Sequence, residues 1–280
     1  MNAESPAAAP KFGLIIVGDE ILSGKRADKH LPKWIELLGE RGLQLAWAEY
    51  VGDDPARITD VLRRAFASGD VVMSCGGIGA TPDDHTRQCA AAALCVPLEL
   101  HPEARALILE RMRDVALEKG LPYEPDRADN QHRLNMGVFP HGARIIPNPY
   151  NKIPGFSVVG VAGGSLHFVP GFPVMAWPMM AWVLDTYCSA WFRRDAWQEK
   201  SVIIFGAMEA TLTPVMERVE VAHPQVRVFS LPSVDHPEWG VHIDLGVKGP
   251  VAAVPAAYDD LRQWLAPMNL SYGPELVRNT

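Results

Sequence analysis

The chain has 280 residues, of which 48% are hydrophobic and 21% charged, a composition typical of soluble globular proteins with one large domain or two ordinary ones. Its formal net charge of -7 excludes a general nucleic-acid-binding surface, so an anionic ligand has to be bound by a local group of residues. The 4 cysteines lie scattered in apolar segments without the spacing of a zinc site or a disulfide framework, which favours reduced thiols in a cytoplasmic protein.

The amino terminus carries no recognisable targeting signal. Residues 1–11 are rich in alanine and proline, lack the build of a signal peptide, and are expected to be disordered. The longest apolar stretch, residues 174–192, is interrupted by Pro178 and Asp185 and has tryptophans at helical spacing. This pattern predicts a core or subunit-interface helix rather than a membrane span, so no membrane partner is expected.

Strands and helices alternate in the first third of the chain. The predicted strands are residues 12–17, 44–51 and 70–73, and the predicted helices are residues 30–40, 55–66 and 87–94. Such alternation indicates an α/β fold with a mostly parallel sheet. Ligands of these sheets bind at the carboxyl ends of the strands. Residues 18–20 and the segment after residue 73 are predicted to lie there.

The most informative motif is the glycine-rich segment of residues 74–86, between a buried strand and a helix. Its glycines allow close approach of a ligand to the backbone, and the helix start can receive an anion. The pair Asp83 and Asp84 would repel an anion unless the carboxylates hold a metal ion or orient a hydroxyl or water. The alternative, a simple turn before a capped helix, explains the glycines and Thr86 but leaves the aspartates without a role.

The remaining chain divides near Trp197. Before it, the pattern predicts one amphipathic helix over residues 102–119, a loop over 120–130, strands at 144–147, 156–161 and 165–170, and a tryptophan-rich helix over 178–191. After it, strands at 201–205, 226–231 and 241–247 with helices at 211–221 and 251–264 predict a small α+β domain. The predicted domains are therefore residues 12–195 and 198–270, followed by a tail of residues 271–280.

Five motifs occur in the order found in one known family. The glycine-rich segment resembles the signature loop of the MoaB/Mog (molybdopterin-binding) fold, and its doubled aspartate is closer to the amino-terminal domain of the competence/damage-inducible protein CinA. The other matching segments are residues 18–24 with Asp28, residues 51–54, Asn148 with residues 154–156, and residues 170–173. Gly206, Glu209, Thr211 and Leu212 resemble, more loosely, the small KH-type domain that follows in CinA. The resemblance implies a three-layer α/β domain with a mostly parallel sheet and a KH-type appendage. As a departure from the family, the amidase domain that full-length CinA proteins carry is not expected in this chain.

The same resemblance implies the site residues. Asp84 and Asp83 are the expected catalytic residues and ligands of a divalent metal ion such as Mg²⁺. The expected substrate-binding residues are Gly18, Asp19, Glu20, Gly76, Gly77, Gly79, Thr81, Thr86, Asn148, Lys152, Gly155, Pro170 and Gly171. Alternatives remain open, since Asp84 can cap a helix, Asp19, Glu20 and Asp53 can belong to polar turns, and Lys152 and Arg133 can be ordinary solvated cations.

Three hypotheses about function follow. The first is a metal-dependent hydrolase, a pyrophosphatase acting on a nucleotide diphosphate-linked compound such as ADP-ribose; the second is binding or adenylylation of molybdopterin in molybdenum cofactor biosynthesis. The third is a non-catalytic binding or assembly module. The departures from the family pattern are His30 in place of an asparagine, residues 151–153 in place of small residues, and Met175 in place of a glutamate. Of these, Ile153 and Met175 are the best evidence for the third hypothesis.

The expected partners are a small phosphate-containing ligand and further copies of the chain. Residues 198–280 contain 6 Lys and Arg against 10 Asp and Glu, so the glycine pair at residues 246–249 is not taken as a nucleic-acid-binding motif. The tryptophan-rich helix carries more large apolar side chains than one helix face is expected to bury in its own domain, which predicts a dimer or trimer.

Overall fold

The computed structural model describes residues 10–192 and 197–279. The chain divides into two compact units. One contains the described residues up to 39 together with residues 43–192, and the other contains residues 40–42 with the described residues from 197 onward. The segment predicted to be disordered lies outside the described residues apart from its last two positions.

The first unit alternates strands and helices. Its strands are β1 (Phe12–Val17), β2 (Leu45–Val51), β3 (Val71–Cys75), β4 (Leu98–Leu100), β5 (Val138–Pro140), β6 (Arg144–Ile146), β7 (Gly155–Val159) and β8 (Ser165–Val169). Its α-helices are α1 (Asp19–Leu22), α2 (His30–Gly39), α3 (Pro55–Ser68), α4 (Thr86–Leu94), α5 (Pro102–Glu118), α6 (Ala128–Leu134) and α7 (Pro173–Val183). The helix α6 occupies the end of a segment predicted as a loop, and the short pair β4–β5 was not predicted.

The main sheet is mixed and mostly parallel, as predicted. Its strand order is β2-β1-β3-β8-β7-β6, with parallel pairing from β2 through β8 and antiparallel pairing among β8, β7 and β6. The central strands pair in register, with Ile15 opposite Ser74 and Met73 opposite His167. The carboxyl ends of β1, β3 and β8 therefore lie side by side, and the segments that follow them meet at one edge.

Both faces of this sheet are covered, which gives a three-layer domain. Neighbouring residues of a strand point to opposite faces: Ile15 and Val72 contact one hydrophobic cluster, and Leu14 and Met73 contact the other. The first cluster includes residues of α3 and α4, and the second includes residues of α2 and α7. Strands buried on both sides are near-continuous apolar runs in sequence, which is why β1 and β3 were predictable.

The tryptophan-rich segment is covered largely within its own unit. The helix α7 ends at Val183 and continues as a π-helical turn, Leu184–Cys188, and a 3₁₀ turn, Ser189–Trp191. Met179, Met180 and Val183 are fully buried, and the tryptophans pack against the same cluster. Trp177, Trp182 and Trp191 are only partly buried, so the expectation that the apolar side chains of this segment exceed what its own domain can bury stays a prediction.

Self-association stays a prediction, and the tryptophan-rich segment is the candidate for the subunit contact. We expect a dimer or trimer of the full chain, because aromatic side chains that are partly exposed, as these tryptophans are, are enriched at subunit contacts. Light scattering coupled to size exclusion over a range of concentrations measures the mass directly against the 30.7 kDa of one chain. A mass of one chain at every concentration would contradict the prediction.

The burial of His167, in β8, leads us to expect that the free energy of unfolding depends on pH. Its ring lies between the hydroxyls of Ser157 (2.7 Å) and Ser165 (2.9 Å), and burial lowers the pKa of His167 from 6.5 to about 3. Between those values the unfolded chain binds a proton that the folded chain excludes, so the free energy of unfolding falls as pH drops below 6.5, by up to about 1.4 kcal/mol per pH unit. We expect His167→Gln to lose part of this acid-side slope in urea unfolding at pH 7 and pH 5, whereas the exposed His141→Gln keeps it. Equal slopes for the two variants would refute the assignment.

The second unit is a separate sheet domain. Its elements are β9 (Trp197–Phe205), α8 (Glu209–Ala222), β10 (Arg227–His236), β11 (Gly240–Pro250), α9 (Val254–Leu265) and β12 (Ser271–Asn279). The strands pair antiparallel in the order β10-β11-β9-β12, and both helices contribute to one core. Its KH-type character stays a prediction, and residues 246–249 lie inside β11.

The predicted tail is wrong as far as Asn279, because residues 271–279 form the strand β12 beside β9. Gly273 and Pro274 interrupt the alternation of apolar and polar residues in this segment, and its register shifts between Tyr272 and Glu275. These features hid the strand from sequence analysis. Within residues 10–192 and 197–279, none of the helices combines the length and apolar character needed to cross a membrane.

Candidate functional site

A cavity of about 540 Å³ lies at the edge of the main sheet where β1, β3 and β8 end. The segments after β1, β2, β3 and β8 line it, together with residues 148–154. Most of the predicted site residues lie in its wall, namely Gly18, Glu20, Gly76, Gly77, Gly79, Thr81, Asp83, Asp84, Asn148, Pro170 and Gly171. Segments up to about 150 residues apart in sequence therefore meet in one pocket, at the edge where parallel sheets bind ligands.

The glycine loop, residues 76–86, bends sharply after β3. Gly76 and Gly77 adopt positive φ angles of 101° and 67°, and a β-carbon on either would overlap the Val17 carbonyl or the Thr86 hydroxyl. Thr86 is fully buried; its hydroxyl donates to the Gly76 carbonyl (3.1 Å), and its N–H donates to the Gly77 carbonyl (3.0 Å). The structure therefore places Thr86 behind the loop, where it fixes the loop to the start of α4.

Asp84 closes a small ring with Thr81. The Asp84 Oδ2 atom accepts hydrogen bonds from the Thr81 N–H (2.8 Å) and the Thr81 hydroxyl (2.5 Å), while the Asp84 N–H donates to the Thr81 carbonyl (3.1 Å). The residue before α4 is His85, and no side chain caps that helix end. The Asp84 carboxylate is thus held at the cavity wall by the loop itself.

Arg87 is a positioning residue that sequence analysis missed. Its side chain is buried and donates to the Ile78 carbonyl of the glycine loop. Burial lowers the pKa of Arg87, and the nearby Asp84 carboxylate partly opposes that shift. Its place in the first turn of α4, directly after the glycine loop, was the available signal.

The exits of β1 and β2 are joined by a reciprocal pair of hydrogen bonds. The Asp19 N–H donates to Asp53 Oδ2 (2.9 Å), and the Asp53 N–H donates to Asp19 Oδ1 (3.2 Å). Burial raises the pKa of Asp53, and the charges of Asp19, Glu20 and Asp83 add to the increase while the Asp19 N–H opposes it. Asp53 and Glu20 line the cavity, whereas Asp19 holds the turn beside it.

The later loops contribute differently from expectation. Asn148 is buried, and its amide donates to Asn151 Oδ1 (2.8 Å) and the Ile153 carbonyl (2.9 Å), which shapes the loop at the cavity wall. Lys152 points away to Glu110 (2.7 Å) and Asp114 (2.6 Å), and these carboxylates raise its pKa.

Gly155 lies in β7, so close to Phe168 that a β-carbon would overlap the Phe168 carbonyl. The structure does not bring Lys152, Gly155 or Arg133 into the cavity wall.

Sequence analysis also missed Arg26 and an apolar wall. The Arg26 guanidinium lies 3.6 Å from Glu20 Oε1 and 5.6 Å from the centre of the Phe172 ring. Apolar side chains outside the glycine loop line the same cavity, among them Met136, Ile153, Pro154, Phe172 and Met175. Ile153 and Met175, two departures from the family pattern, both lie in the wall of this cavity.

The charges in the cavity are unbalanced. Glu20, Asp53, Asp83 and Asp84 line it, and among the lining residues that the structure describes only Arg26 carries a positive charge. No group of three or more His, Cys, Asp or Glu side chains within the described ranges is arranged to hold a metal ion. Mg²⁺ bound with phosphates commonly uses one or two carboxylates, the remaining ligands being waters and phosphate oxygens, so the paired aspartates fit such an ion.

The fold and this cavity define a three-layer α/β domain of the MoaB/Mog class, with a ligand-sized pocket at the carboxyl edge of its sheet. Residues 13–189 match the family model described as "probable molybdopterin binding domain". The chain belongs to this family.

Similar proteins and a solved structure place the resemblance nearer to CinA within this family. A "CinA-like protein" of Anaeromyxobacter dehalogenans is 34% identical over 161 residues, which are 58% of this chain and 37% of that protein. A protein of Pyrobaculum calidifontis is 28% identical over 247 residues, 87% of this chain and 90% of its own length. The structure of CinA, "with unknown function", from Thermoplasma acidophilum superposes with a TM-score of 0.52 at 27% identity, covering 65% of this chain and 98% of that one. The chain thus spans little more than a third of the first of these relatives.

Proposed function

We propose that the chain is a metal-dependent hydrolase of a diphosphate linkage in a nucleotide compound of the ADP-ribose class. The observation that carries this proposal is the convergence of the glycine loop, with its Asp83–Asp84 pair, and four further segments on one cavity. A glycine-lined turn beside a helix start suits phosphate oxygens, because backbone N–H groups can approach them closely. The volume, about 540 Å³, lies in the range of small-molecule sites.

The surplus of carboxylates supports a cation-dependent reaction. A diphosphate approaching Glu20, Asp53, Asp83 and Asp84 is repelled unless positive charge accompanies it, and Arg26 supplies a single unit. We assign Asp83 and Asp84 as the residues that would hold a divalent ion such as Mg²⁺, with the remaining ligands coming from phosphate oxygens and water. When bound, the ion would neutralise charge on the phosphate oxygens.

The chain's own residues then bind the diphosphate and orient the reacting groups. Thr81 fixes the Asp84 carboxylate through two hydrogen bonds to Oδ2, so that this carboxylate would hold the ion without moving, while the attacking water gives up its proton to solvent. Attack of that water on phosphorus breaks one bond of the anhydride and releases two phosphate monoesters. The loop backbone would hold the developing negative charge.

Molybdopterin is the second candidate ligand, favoured by the family to which the chain belongs. Its phosphate can occupy the glycine loop in the same way, and its pterin ring needs an apolar surface such as the wall formed by Ile153 and Met175. In that case the chain binds or adenylylates molybdopterin in molybdenum cofactor biosynthesis. Both candidates use the same cavity.

Calorimetric binding and turnover measurements separate the candidates. ADP-ribose, FAD and molybdopterin are each titrated with Mg²⁺ and with EDTA, and the products are separated by chromatography. We expect Mg²⁺-dependent conversion of ADP-ribose to AMP and ribose 5-phosphate. Binding of molybdopterin without hydrolysis of ADP-ribose or FAD would favour the second candidate. Binding of ADP-ribose or FAD without conversion of any of the three compounds would favour a non-catalytic module.

A further inference from the structure

Phe172 presents an aromatic ring to the cavity from a fixed position. It lies between β8 and α7, lines the cavity, and is 54% exposed, unusual for so large an apolar residue. Its carbonyl accepts hydrogen bonds from the N–H groups of Met175 (3.0 Å) and Ala176 (2.9 Å) at the start of α7. The preceding Gly171 carbonyl lies 3.1 Å from the ring nitrogen Nε2 of His30, which is buried. The Phe172 backbone is therefore held on both sides while its ring stays open.

Arg26 lies over the Phe172 ring, but its contacts are exposed and a ligand can displace it. The guanidinium contacts the Phe172 ring at 5.6 Å from its centre and Glu20 at 3.6 Å, and the Arg26 and Glu20 side chains are 52% and 43% exposed. An exposed ion pair of this kind contributes little, so Arg26 can turn to a phosphate at small cost. Phe172 and Arg26 thus offer an aromatic face and a positive charge side by side.

The apolar wall extends the same surface. Met136, Ile153 and Met175 line the cavity together with Phe172, whereas the carboxylates lie on the segments after β1, β2 and β3. A ligand that is wholly polar, such as inorganic diphosphate, leaves this wall unused. A ligand that carries a flat ring beside its phosphate matches both parts of the cavity.

We infer that Phe172 is the binding platform for a planar heteroaromatic ring of the ligand, with Arg26 on the phosphate side of that ring. The inference rests on the proposed function in that the cavity must hold a phosphate compound. It adds the place of the ring in the cavity: a nucleobase or a pterin lies against Phe172, with the phosphate on the Arg26 side. Aromatic rings stack face to face in an offset manner, and a guanidinium over a ring face, as Arg26 lies over Phe172, adds attraction to the ring system.

Isothermal titration with matched ligands tests the platform. AMP and ribose 5-phosphate share the sugar and the phosphate and differ in the base, and neopterin monophosphate supplies a pterin instead. The ligands are titrated with Mg²⁺ into the full chain and into the variants Phe172→Ala, Phe172→Leu and Val174→Ala. Val174 is the matched control, since it lies in the first turn of α7, is 55% exposed and does not line the cavity.

We expect the unaltered chain to bind at least one ring-bearing ligand about tenfold more tightly than ribose 5-phosphate. Phe172→Ala should remove most of that preference, Phe172→Leu should restore a small part through apolar contact, and Val174→Ala should retain it. A preference for AMP identifies a nucleobase and a preference for neopterin monophosphate identifies a pterin. Ribose 5-phosphate binding should be equal in all four proteins.

Equal affinity of the unaltered chain for all three ligands, or no binding of either ring-bearing ligand, would overturn the platform. A ring preference that survives in Phe172→Ala would also overturn it, since the ring would then bind elsewhere. If the preference depends on Phe172 but ADP-ribose is not hydrolysed, the platform stands and the proposed function fails. If ADP-ribose is hydrolysed but Phe172→Ala binds the ring-bearing ligands as tightly as the unaltered chain does, the proposed function stands and the platform fails.

Discussion

Asp84→Asn is expected to lower the turnover of ADP-ribose by about 10²–10³-fold, the usual effect of removing one charge-stabilising group from an active site. The substitution removes the negative charge at the cavity wall with almost no change in volume. The asparagine oxygen can still accept from the N–H and hydroxyl of Thr81, so the ring of hydrogen bonds that shapes the loop persists. Turnover should therefore fall while the thermal unfolding temperature stays near that of the unaltered chain.

Asp60→Asn is the matched control. Asp60 lies on α3, is exposed, and pairs with Arg63 (2.6 Å) away from the cavity. The same loss of one carboxylate there should leave turnover unchanged, because exposed ion pairs contribute little to stability and this one does not face the ligand. An Asp84→Asn protein that retains most of its activity would rule out the carboxylate mechanism.

The edge at which the site lies was predictable because its signals are local. The apolar runs of β1 and β3 are buried on both faces, so their burial follows from composition alone. Gly76 and Gly77 follow β3 directly, and the carboxyl ends of parallel strands meet at one edge whatever the details of the loops. These features fix the place of the cavity without any knowledge of side-chain contacts.

The residues that finish the cavity depend on contacts distant in sequence. Arg26 meets Phe172 across the sheet edge, and His30 contacts the Gly171 carbonyl from the start of α2. Lys152 was expected to bind phosphate, but its charge is taken up by Glu110 and Asp114 on α5, a helix whose position no sequence pattern indicates. A charged side chain binds whichever opposite charge the fold brings near, which residue type alone does not determine.

Gly76→Ala is expected to lower the free energy of unfolding of the first unit by about 3 kcal/mol or more, from backbone strain and overpacking together. At a φ of 101° any L side chain is strained, and the new β-carbon would overlap the Val17 carbonyl. That carbonyl belongs to β1, a central strand that cannot shift without disturbing its pairing with both neighbours. Differential scanning calorimetry of Gly76→Ala and of the unaltered chain measures the loss of stability. Titration with ADP-ribose should show that Gly76→Ala no longer binds it at the loop.

Gly163→Ala separates the two contributions. Gly163 also has a positive φ, 84°, but its β-carbon position has no atom within 4 Å. In Gly163→Ala the free energy of unfolding should fall by about 1–2 kcal/mol, from backbone strain alone, and the cavity should stay intact. Since each kcal/mol moves the unfolding temperature of a unit of this size by about 2–4 °C, the two variants should differ by several degrees. Equal shifts would mean that β1 yields to the added β-carbon, and the close approach of the loop to Val17 would then not be what requires glycine at this position.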